Sequence, residues 1–332
     1  MSNESNWTQW NGTDIEWDTQ LLKFAHPCAY QNSSWGNHRE DFGWKILRLI
    51  DSSQSSCIAQ VLVKTKFGTT IAWIPGGPVG DLARLDENFD ETILKLTDNS
   101  RLYIRINLLN PTNSKSQQLL EANGWKSAKN KFSTGVSLDY SLQVKEPSRR
   151  DLLSTNWGRN LRRGETRNIE PYIWKTYSAE EIASVYHQLN EYKDLEINID
   201  TPSLETISSL INNCRTNLVL VRCDDSLGNP LAIRGALCFG TKAWDIFAAV
   251  TPVGRKQYSS YVTAWKLFDE CVNLNFTNYD LSGVDPINNK GVYDFKKGTG
   301  AKEVTYLGEW DRGAPFFIAP LAGRLIGYLR NT

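Results

Sequence analysis

The sequence has few of the side chains that usually announce a reaction. Its 332 residues include three histidines, His26, His38 and His187, and a single methionine. None of the histidines sits in a Ser/His/Asp or Cys/His context, so nucleophilic catalysis of that kind has no support. The six cysteines (Cys28, Cys57, Cys214, Cys223, Cys238, Cys271) form no Cys-x-x-Cys pair and do not cluster with the histidines. That spacing argues against a zinc site, and no metal is expected. A disulfide framework is unexpected in a chain this long, so the cysteines read as reduced thiols, mostly small core residues. A charge excess is also missing, since 37 Lys+Arg balance 37 Asp+Glu. No global field then draws the chain to nucleic acid or an acidic membrane, and any contact with RNA or phosphate has to come from a local patch. No run approaches the roughly 18 apolar residues of a membrane span, and the N-terminus lacks the basic-then-apolar layout of a signal peptide. The expected localisation is cytoplasmic.

What is present fits a globular protein with a large core. Hydrophobic residues make up 40% and charged residues 22%, near the soluble average. The length suits two domains of roughly 150 residues each. Twelve tryptophans supply large buried area and are also the residues that line ligand grooves.

Strand-like runs occur at Trp44–Ile50, Cys57–Lys64 and Thr69–Ile74, the last ended by Pro75-Gly-Gly-Pro78, which no strand or helix continues through. A helical pattern over Asn88–Thr97, a strand over Arg101–Ile106, a helix over Ser114–Asn123 closed by Gly124, and alternation over Ser133–Leu142 complete a mixed β/α unit. The polar, proline-bearing stretch Val144–Arg150 marks the expected boundary. Helices over Ala179–Tyr192 and Pro202–Cys214 follow, then strands over Leu218–Cys223, Ala232–Phe239 and Lys242–Ala249. A helix over Ser259–Asn273 and a strand over Asn278–Leu281 repeat the element order of the first half, as a structural duplication would. Pro315–Arg330 reads as an apolar helix.

Three motifs carry candidate chemistry. The glycines of Pro75–Pro78 permit close backbone approach to a ligand, or simply make a tight turn. Arg149, Arg150, Arg159, Arg162, Arg163 and Arg167 form the densest basic segment. On a helix, Arg159, Arg162 and Arg163 share one face, which suits phosphates or is a solvated face partnered by Glu165. Asp285 to Gly300 reads as a long loop bearing Lys290, Lys296 and Lys297; a lysine there can stabilise an oxyanion or bind phosphate, or be merely exposed. The turn that wraps the pyrophosphate of coenzyme A in N-acetyltransferases is absent: after the strand ending at Ala249 the chain reads Val253-Gly-Arg-Lys-Gln-Tyr-Ser-Ser260.

Strings along nearly the whole chain resemble the Fem-type aminoacyltransferases. They are Gln31-Asn-Ser-Ser-Trp-Gly36, Trp73-Ile-Pro-Gly-Gly-Pro-Val79, the helix start at Tyr258–Trp265, Tyr279-Asp-Leu-Ser-Gly-Val284, Tyr293-Asp-Phe-Lys-Lys-Gly298 and Tyr306-Leu-Gly-Glu-Trp310. The resemblance implies an α/β (α+β) fold of two tandem GNAT-like acyltransferase domains, each a mixed sheet flanked by helices, with no coiled-coil arm. The domains would span 1–147 and 148–313, with 314–332 a helix packing back on the first and the substrate cleft between them. It also implies transfer of an amino acid to an amine of a peptidoglycan precursor, with no cofactor beyond aminoacyl-tRNA as co-substrate. Partners would be the tRNA 3′ end, a UDP-linked or lipid-linked muropeptide or amino-sugar precursor, and the inner membrane by peripheral contact. The alternative is an N-acyltransferase that takes a CoA or carrier-bound acyl group to an amino sugar of a surface polysaccharide.

By the same resemblance Lys296 would stabilise the transition state or hold the tRNA end, with Phe295 beside it. Arg39 matches a lysine that contacts acceptor phosphates, and Tyr103 a residue lining the acceptor site. Trp35, Gly77, Asn107 and Tyr261 complete the substrate-binding set. Two positions depart from the family. Asn107 stands where some members place an aspartate and cannot act as a base, and a second-domain arginine that binds phosphate has no match near Asn198.

Overall fold

A computed structural model of the protein describes residues 6–52, 55–144, 147–193 and 202–331, without the side chains of 190–193 and 325–331. The chain divides into two compact units, one of Met1–Val136 with Thr305–Thr332 and one of Ser137–Val304.

The first stretch holds β1 (Trp7–Gln9), α1 (Asp14–Leu21), α2 (Ser33–Glu40), β2 (Lys45–Asp51), β3 (Cys57–Lys66), β4 (Thr69–Pro75), β5 (Val79–Gly80), α3 (Glu87–Leu96), β6 (Leu102–Pro111), α4 (Ser114–Ala122) and β7 (Lys126–Ser127). The helices start where short polar side chains can take up free amides. Thr13 makes a full capping box with Glu16, and Asn32, Asp86 and Asn113 cap α2, α3 and α4. The second stretch runs β8 (Val136–Ser141), α5 (Ser148–Asp151), α6 (Thr155–Glu165), β9 (Glu170–Ile173), α7 (Ala179–Lys193), α8 (Leu204–Cys214), β10 (Leu218–Asp224), β11 (Pro230–Phe239), β12 (Lys242–Val250), α9 (Pro252–Lys256), α10 (Ser259–Asn273), β13 (Asn278–Gly283) and α11 (Lys290–Lys297). β14 (Lys302–Ala314) and α12 (Ile318–Asn331) end the chain.

The sheet of the first unit runs β1-β2-β3-β4-β6-β14, and that of the second β9-β10-β11-β12-β13-β8. Each has four antiparallel strands in sequence, then one parallel strand reached over a helix (α3 or α10), then one antiparallel strand. The two topologies match strand for strand, which is the duplication the element order implies. In the first unit Leu47, Leu49, Val61, Ile74, Ile104 and Ile106 pack with Phe89, Ile93, Leu120, Trp125, Leu307 and Trp310. α12 returns to pack on β6.

The two parallel pairs differ in how far they stay together. β4 and β6 stay in register over six residues, from Thr70↔Leu102 to Pro75↔Asn107. β12 and β13 pair only from Lys242↔Asn278 to Trp244↔Asp280 and then part. Bulges at Ile246 in β12, opposite Gly235/Ala236 of β11, and between Asp280 and Gly283 in β13 accompany the parting, since a bulge re-aims the strand that carries it.

The expected loop from Asp285 to Gly300 is corrected in one part: residues Lys290–Lys297 form α11. The glycines at its ends favour a loop on composition, but the eight residues of the helix contain no proline. Lys290 and Asp294 pair one turn apart at 2.6 Å, a spacing that supports a helix.

Candidate active site

Where β12 and β13 part, the second unit holds a cavity of about 730 Å³, within the range of small-ligand sites. β12 lines it with Asp245 and Ala248–Val250, α10 with Tyr261, the residues before α10 with Arg255 and Tyr258, α6 with Asn160, and α11 with Phe295 and Lys296. Three of the residues singled out in the sequence, Phe295, Lys296 and Tyr261, therefore meet in one cavity.

Lys296 is 9% exposed. Its ammonium donates to the carbonyl oxygens of Gly283 at 3.1 Å and Ser282 at 3.4 Å. These carbonyls turn towards it because of the β13 bulge, where Ser282 takes a φ of 62°, a left-handed conformation costly for a residue with a side chain. Burial pulls the Lys296 pKa below its ordinary value, and Arg234 adds to the pull while Asp245 and Asp280 oppose it. The arrangement leaves a buried amine with one N–H direction beyond its two carbonyl partners.

Behind the lysine lies a polar frame that sequence reading missed. Arg234 grips both oxygens of Asp245, Nε to Oδ1 at 3.0 Å and Nη2 to Oδ2 at 2.7 Å. The Tyr279 hydroxyl also donates to Asp245 Oδ1 at 2.9 Å, and Ser282 Oγ donates to the Asp245 carbonyl at 2.7 Å. Burial works against the Arg234 charge, but Asp245 and Tyr279 more than offset it and raise its pKa. Asp280 accepts from Ser137 Oγ and from the Ser282 amide and pairs with Lys242 at 3.2 Å. Each polar position of Tyr279-Asp-Leu-Ser282 thus has a partner that fixes the two carbonyls facing Lys296. Asp245 and Arg234 lie on neighbouring strands and apart in sequence, so only alternation along β11 and β12 hinted at their pairing.

Aromatic rings make the other wall. Phe295 lies 5.1 Å from Tyr261 and 5.8 Å from Trp157, with the Arg234 guanidinium 5.3 Å over its face. Asn160 Nδ2 donates to the Tyr261 hydroxyl at 3.0 Å. Tyr258 holds a φ of 61° just before α10, and its hydroxyl accepts from Arg163 at 3.2 Å. In the basic segment Arg149 is buried against Asp269 and Trp265, and Arg150 pairs with Glu165. Arg159, Arg162 and Arg163 are exposed on the outer face of α6. Thr251 caps α9 within the connection from β12 to α10, the place where a pyrophosphate turn would otherwise stand.

The remaining candidates lie in the first unit. Trp35 and Arg39 sit one turn apart on α2. The Arg39 guanidinium rests 5.5 Å over Phe42 and 5.6 Å over Trp73, and burial lowers its pKa. Trp35 Nε1 and Arg39 Nε are both buried without a hydrogen-bond partner among the described residues. Gly77 is packed so that a Cβ would come 2.5 Å from Gln31 Cδ, while the Gln31 amide donates to Pro75 O and Gln60 O at 2.8 and 3.2 Å. These contacts tie Gln31-to-Gly36 to the Pro75–Pro78 loop. Tyr103 is buried, with its hydroxyl donating to Asp311 at 2.9 Å, and Asn107 is half-buried on β6 opposite Glu309. Asn198 lies outside the described residues. Among the described residues no group of three or more His, Cys, Asp or Glu is placed to hold a metal, and no helix is long and apolar enough to cross a membrane. All six cysteines are buried thiols.

Comparison with known proteins bears on this geometry. Residues 215–315 match the FemAB family, a span that includes Arg234, Asp245, Tyr261 and the whole of α11. The fold is similar to that of FemX, with a TM-score of 0.77 at 14% identity over 92% of this chain and 96% of that one. It is also similar to L-PGS from Bacillus licheniformis (0.55, 11% identity, 94% and 96% covered). A tandem GNAT protein from the clavulanic acid biosynthesis pathway matches alike (0.55, 9% identity, 94% and 99% covered). Comparison with curated protein sequences yields no match. At these identities the structures speak for the fold, which is that of two tandem GNAT-like domains. Residues 215–315 thus match the FemAB family by sequence, and over nearly its whole length the chain is similar in fold to FemX.

Proposed function

We propose that the protein is a transferase that forms an amide bond on an amine of a peptidoglycan precursor, with aminoacyl-tRNA as the donor. The observation that carries this reading is Lys296, a buried ammonium held by two backbone carbonyls at the cavity where β12 and β13 part. The acceptor amine attacks the ester carbonyl, and a C–N bond forms as the carbonyl oxygen takes up negative charge. Lys296 is poised to stabilise that oxyanion with its remaining N–H. The ester C–O bond then breaks, and the tRNA 3′ oxygen leaves with the proton released by the amine. No strong protein base is required, which suits a cavity with no histidine among its described lining residues. Phe295, Tyr261 and Tyr258 offer flat faces for the end of the tRNA. The site of action is the cytoplasm, where charged tRNA is made.

The test uses purified protein, tRNA charged with labelled amino acids and a UDP-linked muropeptide bearing a lysine. Transfer of label to the muropeptide is expected, and failure with every amino acid overturns the reading. The tandem GNAT likeness favours a second reading, an acyl group delivered from coenzyme A. Acetyl-CoA binding by calorimetry separates the two, and α9 in the β12–α10 connection weighs against binding.

A further inference from the structure

Four large apolar side chains stand in solvent on two adjoining segments of the first unit. Phe316 is 82% exposed, Phe317 49% and Leu321 54%, at the start of α12, and Phe132 is 62% exposed in the loop after β7. Asn130 Nδ2 donates to Gly323 O at 2.6 Å, which fastens this loop to the helix. The helix rises only about 8 Å from Ile318 to Gly323, so the two segments adjoin within about two helical turns of this hydrogen bond. The Phe132 ring is braced from below by the Arg105 guanidinium at 5.1 Å, and the Phe316 and Phe317 rings meet edge to face at 5.9 Å. These side chains are held outward by structure.

The charge carried by the two segments themselves has one sign. Residues 126–132 contain Lys126, Lys129 and Lys131 and no acid, and residues 315–324 contain Arg324 and no acid. All four cations are exposed. The acids beneath the loop are spoken for: Glu309 accepts from the amides of Phe132 and Ser133 and from Arg105, and Asp311 accepts from Arg105 and Tyr103. A chain with balanced charge overall therefore carries a local patch that joins exposed aromatics to exposed cations. Monomeric soluble proteins seldom expose such clusters without a use.

We propose that this face docks on the surface of an anionic phospholipid bilayer. Phe132, Phe316, Phe317 and Leu321 enter the boundary between headgroups and acyl chains, while Lys129, Lys131 and Arg324 meet the lipid phosphates. The inference extends the partner side of the proposed function, because a lipid-linked acceptor is presented at such a surface, but its evidence and its test do not pass through catalysis.

The test is co-sedimentation of the full chain with vesicles of phosphatidylglycerol in phosphatidylcholine, against vesicles of phosphatidylcholine alone. The wild type is expected to pellet with the anionic vesicles and to be released by raised salt. The double variants Phe316→Ser/Phe317→Ser and Lys129→Glu/Lys131→Glu are each expected to bind roughly tenfold more weakly, with unchanged thermal unfolding since every altered side chain is exposed. A wild type that ignores anionic vesicles, or variants that bind as it does, overturns the proposal. So does a lipid-free dimer, seen by analytical ultracentrifugation, that the Phe316→Ser/Phe317→Ser variant abolishes, since the face would then join two copies of the chain. If vesicle binding holds while no label reaches any muropeptide, the transferase reading falls and the docking face stands.

Discussion

Lys296 joins two properties that oppose each other, burial and charge, and its partners explain how both persist. Two carbonyls and the nearby Asp245 and Asp280 hold the ammonium, while desolvation and Arg234 weaken it. Removing it by Lys296→Ala is expected to lower kcat by about 10²–10³, the usual effect of deleting one oxyanion donor, with little change in fold. Single-turnover kinetics with charged tRNA checks this. The lowered pKa gives a second prediction of opposite sign for activity and stability. Between its folded value and the higher unfolded one, the unfolded chain holds a proton that the folded chain releases. Stability therefore rises as pH climbs through the folded value and levels off at the unfolded one. Activity falls over the same climb, because the ammonium is lost. Urea midpoints and rate profiles followed with pH, for wild type and Lys296→Ala, are expected to show both trends in the wild type alone.

At the scale of elements, much of the fold is legible in the sequence. The strands β2, β3, β4, β10, β11 and β12 and the helices α3, α4, α7, α8 and α10 stand where periodicity and capping put them, because each is an alternating, periodic or continuous apolar run with clear punctuation. α1, α2 and α6 are harder to read, since their buried positions (Trp17 and Leu21; Ser33, Gly36 and His38; Trp157, Asn160, Leu161 and Gly164) make no continuous apolar stripe. α11 resembles loop because of Gly291 in its first turn and the glycines that follow it, and those glycines have different duties. Gly291 is exposed, with nothing within 4 Å of where an added methyl would stand, whereas a Cβ at Gly300 would lie 2.5 Å from the Leu152 carbonyl at a φ of +87°. Gly291→Ala is expected to stabilise the protein by about 0.5–1 kcal/mol. Gly300→Ala is expected to cost roughly 2–3 kcal/mol. Thermal denaturation of the two variants checks the contrast, and equal shifts would sink it. The Lys296 side of the site is legible as a string; the Arg234–Asp245–Tyr279 frame is not, because it exists only once β11, β12 and β13 are brought together.

On the scale of the whole molecule, the order of the chain and the order of the fold disagree. The first unit is discontinuous, closed by residues 305–332, while the second is the continuous segment 137–304. β14 gives the first unit the antiparallel partner of β6 and the core residues Leu307 and Trp310. It also supplies Asp311 and Glu309, the carboxylates around buried Arg105, and Arg312, which pairs with Asp90. A chain ending at residue 304 loses all of these at once. Emptying two large core positions costs about 2–5 kcal/mol each, and stranding a buried arginine about 3–5 kcal/mol. Together these match or exceed the roughly 5–15 kcal/mol that holds a domain folded. The second unit keeps its own six strands and its cavity, since every cavity-lining residue lies between Asn160 and Lys296. Limited proteolysis of the truncated chain is therefore expected to degrade the first 136 residues and to leave a resistant fragment beginning near Ser137. Equal resistance along both segments would mean that β14 is dispensable to the first unit, against its place in the core.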